Sequence, residues 1–272
     1  MPVDPSAYVA PTAKVHPDAV IGPQTRIGEF CVIEQDVVIG ARCVLEPYVF
    51  VKRWTAIGDD NEISAGAALG TDPFDKNFTG ERSYLVIGNG NKIREHFTIS
   101  RGTAPESVTR VGDGNFIMSS GHIAHNATVG NNTVIASCAL IAGHVTVEDQ
   151  AFVSGCVAVH QYCRIGRLAM VGGGVRVNQD LPPFLLYSGL YASPVGLNMV
   201  GLRRAGFTSA DISAIKKAYR LLYRSKLKLK EALERIEREV DSPYARHMAE
   251  FVRGTKRGIA HDHEGRGKRR FE

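Results

Sequence analysis

No stretch of this 272-residue chain approaches the roughly 18 consecutive apolar residues of a membrane-spanning helix, so a membrane span is not expected. The opening MPVDPSAYVAPTA has neither a basic segment nor an apolar core, and it reads as ordinary chain rather than a secretory signal. Cysteine is sparse. Cys31, Cys43, Cys138, Cys156 and Cys163 show no CxxC spacing, which argues against a structural zinc site or a dithiol redox motif. All five recur where small residues repeat, so they are expected to be buried, reduced thiols in a cytoplasmic protein. The formal net charge is +5, with Lys and Arg gathered in Lys216 to Lys230 and in the tail from Lys256 to Arg270. No recognised nucleic-acid-binding motif accompanies those charges. An acidic protein partner or a phosphate-bearing substrate fits the same charge.

What the sequence does have is a period of six. From Val9 to Val177, every sixth residue is Ile, Leu or Val, with Asp75, Glu81 and Pro105 the only exceptions. Such a period is neither helical nor a simple strand alternation. It is the mark of a hexapeptide-repeat parallel β-helix, in which three hexapeptides make one triangular coil of 18 residues. The apolar residue points inward. Turn residues such as Gly58-Asp59-Asp60 and Gly130-Asn131-Asn132 make corners that tolerate φ > 0. Two segments break the register, residues 71–85 and a shorter one from Ala104 to Arg110, and both are expected as loops thrown out from the solenoid.

The expected organisation is a β-helix over residues 1–187 and a helical region over residues 188–272. Helices are predicted from Thr208-Ser209, with Asp211 in the first turn, then from Leu229 to Val240 and from Pro243 to Arg253. In the first, Ile212, Ile215, Ala218, Tyr219 and Leu222 share a face opposite Lys216, Lys217 and Arg220. They would cover the open end of the solenoid. Residues 261–272 are expected to be disordered.

The unbroken register places distant histidines together. His125, His144 and His160 belong to hexapeptides that start 18 residues apart, and so stand on one side of three successive coils, with His122 at the adjoining corner. Solenoid corners tolerate single exposed histidines, but four on one edge point to a site. A zinc ion would need about three nitrogens near 2.1 Å from one point, whereas this set climbs the axis by about 10 Å. The row suits a groove in which one histidine is a general base and the others place substrate.

The strings GHIAHNATVG (Gly121 to Gly130), LIAGHVTV (Leu140 to Val147), AVHQYCRIG (Ala158 to Gly166), MVGGGVRVNQDLPP, VGLNMVGLRRAGF (Val195 to Phe207) and AIKKAYRLLYRS resemble the UDP-N-acetylglucosamine acyltransferases that begin lipid A synthesis. The resemblance spans nearly the whole chain. It implies a homotrimer of left-handed β-helices, each with a small C-terminal helical domain, and active sites in clefts between subunits. It also implies an (R)-3-hydroxyacyl thioester carried by an acyl carrier protein, attacked by the 3-position of a UDP-sugar, with no cofactor.

By the same resemblance His125 is the general base and the Gly143 N–H the oxyanion donor. Asp75, His122, His144, His160 and Gln161 place substrate, Asn198 and Arg204 hold the nucleotide, and Gly173 and Tyr191 border the acyl groove. The chain departs from the family at several points. Asn126 stands where an Asp commonly supports the base, and the loop reads Asp75-Lys76-Asn77-Phe78 where Asp-Leu-Lys-Tyr is common. Tyr191 and Val200 replace a His and a Glu that contact substrate in some members. These departures favour slower chemistry or a more reactive nucleophile, such as the amine of a 3-amino sugar. The other readings are a different hexapeptide acyltransferase of a UDP-amino sugar, or an impaired paralogue that binds the carrier protein. The basic Lys216 to Lys230 surface would dock that carrier.

Overall fold

The computed structural model describes residues 3–261 and is a parallel β-helix closed by helices. The expectation of a disordered tail lies outside the described residues, His261 apart. Strands of two to four residues recur from Tyr8–Val9 to Arg176–Val177, every six residues outside the two excursions, and pair in parallel with the strand one coil away, as in Thr98↔His122 and Ile99↔Ile123. Among the described residues they form, together with the later strands Leu185–Ser188 and Ser193–Leu197, sheets of 11, 9 and 8 strands, the three sides of the prism.

Each hexapeptide has two inward places. The first carries the periodic Ile, Leu or Val, and the fifth carries Ala19, Thr25, Cys31, Val37, Cys43 and their successors, all buried. Sealing each aliphatic side chain contributes about 1.5–3 kcal/mol, repeated coil after coil. The fourth place is the corner. Gln24, Phe30, Asp36, Arg42, Tyr48, Trp54 and Asp60 begin a series with φ near +60°, which runs on through Asn126, His144 and Tyr162. Residues 72 and 102 hold that place without the left-handed backbone, and there the chain leaves the coil.

This division corrects the cysteine expectation. Cys31, Cys43 and Cys163 take fifth places and are buried, whereas Cys138 and Cys156 take fourth-place corners and are exposed. The first excursion is also shorter than expected, and the second begins and ends earlier. Strands Ala68–Thr71 and Tyr84–Ile87 confine the first loop to 72–83, and Val108–Val111 ends the second before residue 108.

Inside the prism, Asn61, Asn91 and Asn115 stack at successive fifth places. Asn91 Nδ2 donates to Asn61 Oδ1 at 2.9 Å, and Asn91 Oδ1 accepts from both the backbone N–H and Nδ2 of Asn115 at 2.9 Å. Asn91→Ala orphans buried donors above it and is expected to cost about 2–4 kcal/mol in urea unfolding. A loss below about 0.5 kcal/mol would show that the ladder does not hold these coils together.

The boundary at residue 187 falls within a strand. Leu185–Ser188 pairs antiparallel with Ser193–Leu197, and this hairpin extends the 11-stranded sheet. Among the described residues four helices follow: α1 (Met199–Arg204), α2 (Ser209–Tyr223), α3 (Leu229–Glu239) and α4 (Pro243–Arg253). The sequence reading missed α1, a six-residue helix capped by Asn198. It placed α2 well, with Thr208 and Asp211 forming a capping box and Ile215, Ala218 and Tyr219 buried. No helix among the described residues is long and apolar enough to cross a membrane.

Candidate active site

The corner that follows the nine-stranded sheet carries the histidines. His125 takes the third place of its hexapeptide, and Gly143 takes the same place one coil on. They touch: a Cβ built on Gly143 would lie 2.5 Å from His125 Cε1 and 2.7 Å from Nε2. His144, on the next corner residue, meets His125 edge-on with ring centroids 5.3 Å apart.

His125 is oriented by Asn126. Its Nδ1 lies 3.0 Å from Asn126 Oδ1, and that oxygen also accepts from the Thr103 backbone N–H at 3.2 Å and the Thr103 hydroxyl at 2.9 Å. A backbone N–H can only donate, so Thr103 fixes which atom of the amide faces the imidazole. Nδ1 therefore carries the proton, and the lone pair sits on Nε2, next to Gly143. Asn126 thus does the orienting work of a carboxylate but brings no charge.

The third-place N–H lies outside the strand ladder. In some coils a side-chain oxygen accepts it, as Asp59 does for Ala41 at 2.8 Å and Glu148 for Arg167 at 2.7 Å, while on the histidine edge the N–H groups of His125 and Gln161 also stay open. Among the described residues nothing accepts the Gly143 N–H. A free donor beside an imidazole lone pair suits a carbonyl that becomes an oxyanion while the base takes a proton.

Beside this pair two imidazoles are held toward their neutral form. Burial pushes the His122 imidazole below its ordinary value. Its Thr98 bond opposes the shift and the nearby His125 adds to it. Burial also lowers His144, helped by His125 and opposed by Asp75. His122 Nδ1 lies 2.7 Å from the Thr98 hydroxyl. Two neutral imidazoles beside His125 can place polar substrate groups without repelling a charge that forms on the base.

Three of the four predicted histidines, His122, His125 and His144, are thus brought together with Gly143, Asn126 and Asp75. His160 and Gln161 lie exposed one coil beyond, where His160 Nδ1 is 3.2 Å from the Gln161 carbonyl oxygen. Asp75 sits in the 72–83 loop, its Oδ1 accepting from the Asn77 N–H at 2.9 Å. Two aromatic rings were missed. Tyr162 stacks on His144 at 4.6 Å, and its position 18 residues after His144 signals this. Phe74 stacks on His122 at 5.0 Å while remaining 79% exposed, and the aperiodic loop gives no such signal.

Asn198 and Arg204 are elsewhere on this chain. They line a groove of about 650 Å³ with Phe152, Met170, Leu186 and Leu197, against the 11-stranded sheet rather than the nine-stranded one that carries His122. The Asn198 amide is already engaged: Oδ1 accepts from the Gly201 N–H at 3.0 Å and Nδ2 donates to the Leu168 carbonyl at 2.9 Å. Val200 lines the same groove.

Gly173 is not the left-handed corner; Gly174 is, at φ +69°. A Cβ on Gly173 would meet only the Gly155 carbonyl, at 3.5 Å, so the backbone does not demand glycine there. Below it at 18-residue steps stand Gly155, Ser137 and Ser119, a smooth strip along the edge of the nine-stranded sheet. Tyr191 lies beyond that strip, half-exposed and bridged to Arg176. Near the helices, Arg203, Lys216, Arg220 and Arg224 converge on a second groove of about 600 Å³.

Comparison with known proteins gives this geometry a family. A model described as UDP-N-acetylglucosamine O-acyltransferase, domain 2, matches residues 180–260. The acyl-(acyl-carrier-protein)–UDP-N-acetylglucosamine O-acyltransferase of Tolumonas auensis is 51% identical over 214 residues, 78% of this chain and 81% of its own. That of Gloeothece citriformis is 42% identical over 204 residues, 75% of this chain and 74% of its own. The chain belongs to this acyltransferase family.

The three-dimensional likeness of the acyltransferase family extends over the helices as well. The UDP-N-acetylglucosamine acyltransferase structure from Bacteroides fragilis matches with a TM-score of 0.86 at 37% identity, over 94% of this chain and 98% of that one. The Francisella novicida enzyme gives the same TM-score at 35% identity, over 96% and 94%. The fold is the left-handed β-helix with a C-terminal helical cap expected from the sequence.

Proposed function

We propose that this protein transfers an (R)-3-hydroxyacyl chain from acyl carrier protein to the 3-position of UDP-N-acetylglucosamine or its 3-amino analogue, the first step of lipid A synthesis. The observation that carries this reading is the pairing of a lone pair on His125 Nε2 with an unclaimed Gly143 N–H, within a family of that activity. Nε2 takes the proton from the attacking 3-hydroxyl or 3-amine as the new C–O or C–N bond forms. The thioester oxygen becomes an oxyanion opposite the Gly143 N–H. Collapse breaks the C–S bond, and the imidazolium returns its proton to the carrier's thiolate.

Asp75, His122 and His144 place the sugar. His160 and Gln161 extend the row one coil further along the groove. Arg204 holds the diphosphate by charge-assisted bonds. Since Asn198 and Arg204 lie on a different face from His125, a site using both draws them from neighbouring copies, as a homotrimer supplies. The Asn198 amide contributes chiefly by capping α1, which aims Arg204. Gly173 and Tyr191 border the acyl chain. The basic groove at Arg203, Lys216, Arg220 and Arg224 suits an acidic carrier protein, in a reaction that needs no cofactor and takes place in the cytoplasm.

Asn126 bears on the choice of acceptor. A neutral amide stabilises the imidazolium less than a carboxylate would, which matters most for a hydroxyl nucleophile. Thr103 donates twice to Oδ1 and would serve an aspartate equally well. Asn126→Asp is expected to raise transfer to the 3-hydroxyl sugar about 3- to 30-fold, with a smaller gain for the 3-amino sugar. Product mass spectrometry with both acceptors side by side measures it. Equal gains for the two would remove Asn126 from acceptor choice, and absence of acylated nucleotide from either variant would sink the function.

A further inference from the structure

Arg101 occupies the third place of its hexapeptide, the same corner position as His125 and one coil below it. It is 1% exposed, the largest side chain so thoroughly buried. Its guanidinium lies 5.2 Å from the Trp54 ring and 5.2 Å from the Phe78 ring, one from the corner two coils below and one from the 72–83 loop. Nη1 donates to the Gly70 carbonyl at 3.2 Å and to the Asp72 carboxylate, which Lys52 approaches at 3.7 Å. Nε and Nη2 are sealed from solvent with no acceptor. Burying an arginine with two idle donors is costly.

What the arginine holds is the loop. Residues 72–83 deliver Phe74 onto His122 and bring the Asp75 carboxylate close enough to act on His144. Asp72, at the loop's start, and Phe78, past its tip, are both fixed on this one guanidinium. The Ser100 hydroxyl adds contacts to the Thr71 hydroxyl at 3.0 Å and the Asp72 carbonyl at 3.4 Å. Two residues on from Arg101, Thr103 orients Asn126. One short segment, residues 100–103, therefore sets both the sugar-facing loop and the amide that orients His125.

We propose that Arg101 is a positioning residue for the acceptor. Clamped between Trp54 and Phe78 and anchored on Asp72, it holds the 72–83 loop in the arrangement that presents Asp75 to the sugar. The proposal rests on the acyltransferase reading above. It does not give Arg101 contact with substrate.

The test uses Arg101→Lys, which keeps the charge but loses the planar surface that stacks, and Phe78→Leu, which removes the outer face of the clamp. Both are read by hydrogen exchange across residues 72–83 and by steady-state kinetics, with melting temperature as the check on folding. In both variants loop exchange should quicken and KM for the UDP-sugar rise at least about tenfold, while KM for the acyl carrier protein stays within about twofold. Unchanged loop exchange, or an unchanged KM for the UDP-sugar, would overturn the proposal. Failure of the wild-type protein to transfer acyl groups would overturn the reading beneath it. Hydrogen exchange needs no turnover, and would still decide whether Arg101 holds the loop.

Discussion

His125→Ala is expected to lower kcat about 10²- to 10⁴-fold, the range for removal of a positioned general base. The ring's proton is committed to Asn126 through Nδ1, so Nε2 is the site's available base, and no neighbour can take its place. His122 has its Nδ1 turned to Thr98, and His144 meets His125 edge-on rather than sharing its position. The loss should fall on kcat, with KM for the carrier protein little changed, because His125 meets the reacting proton rather than the carrier's surface. The fold should survive, since His125 sits on the prism's corner outside the two inward columns. Circular dichroism and melting temperature check that, and stopped-time product analysis checks the rate. Activity within tenfold of wild type would remove His125 from its role.

Gly143→Ala is the second. The added methyl would stand 2.5 Å from His125 Cε1 and 2.7 Å from Nε2, closer than real Cβ atoms come to any neighbour. The imidazole must turn away, and turning breaks its 3.0 Å bond to Asn126. Base orientation and access to the Gly143 N–H are lost together, so kcat should fall about 10²- to 10³-fold, comparable to loss of an oxyanion-hole donor. The coil itself has room for the change: the Gly143 backbone is not left-handed, and the three atoms nearest the added methyl all belong to the imidazole. Stability should therefore move little. Imidazole nitrogen NMR would show the Nδ1–H form of His125 giving way to a mixture of tautomers. A variant with wild-type kcat and an unchanged His125 spectrum would refute the close approach.

Sequence alone revealed most of the fold because one number, the 18-residue coil, converts position into place. It stacked His125 with His144 and, pressed further, would have set Gly143 over His125 and Tyr162 on His144. It failed where the two small-residue columns had to be told apart, because the fourth place turns outward through a left-handed corner while the fifth turns in. Cys138 and Cys156 were misplaced for that reason. It also failed where the period stops. Nothing in residues 72–83 foretold that Phe74 would cover His122 or that Phe78 would close on Arg101, since a loop's path is set by contacts distant in sequence. The link from Thr103 to Asn126 was hidden likewise, by the second excursion that shifts the register between them. Helix α1 is too short, with Gly201 at its middle, to show a helical period.

The most direct test of the account is transfer itself. Purified protein would be given (R)-3-hydroxyacyl carrier proteins of graded chain length, with UDP-N-acetylglucosamine and its 3-amino analogue as separate acceptors. The account predicts a nucleotide sugar acylated at its 3-position, one carrier thiol released per acyl group transferred, and acceptance of long chains that Gly173→Met would shorten. No acylated nucleotide from folded protein with either acceptor, at any chain length, would contradict it.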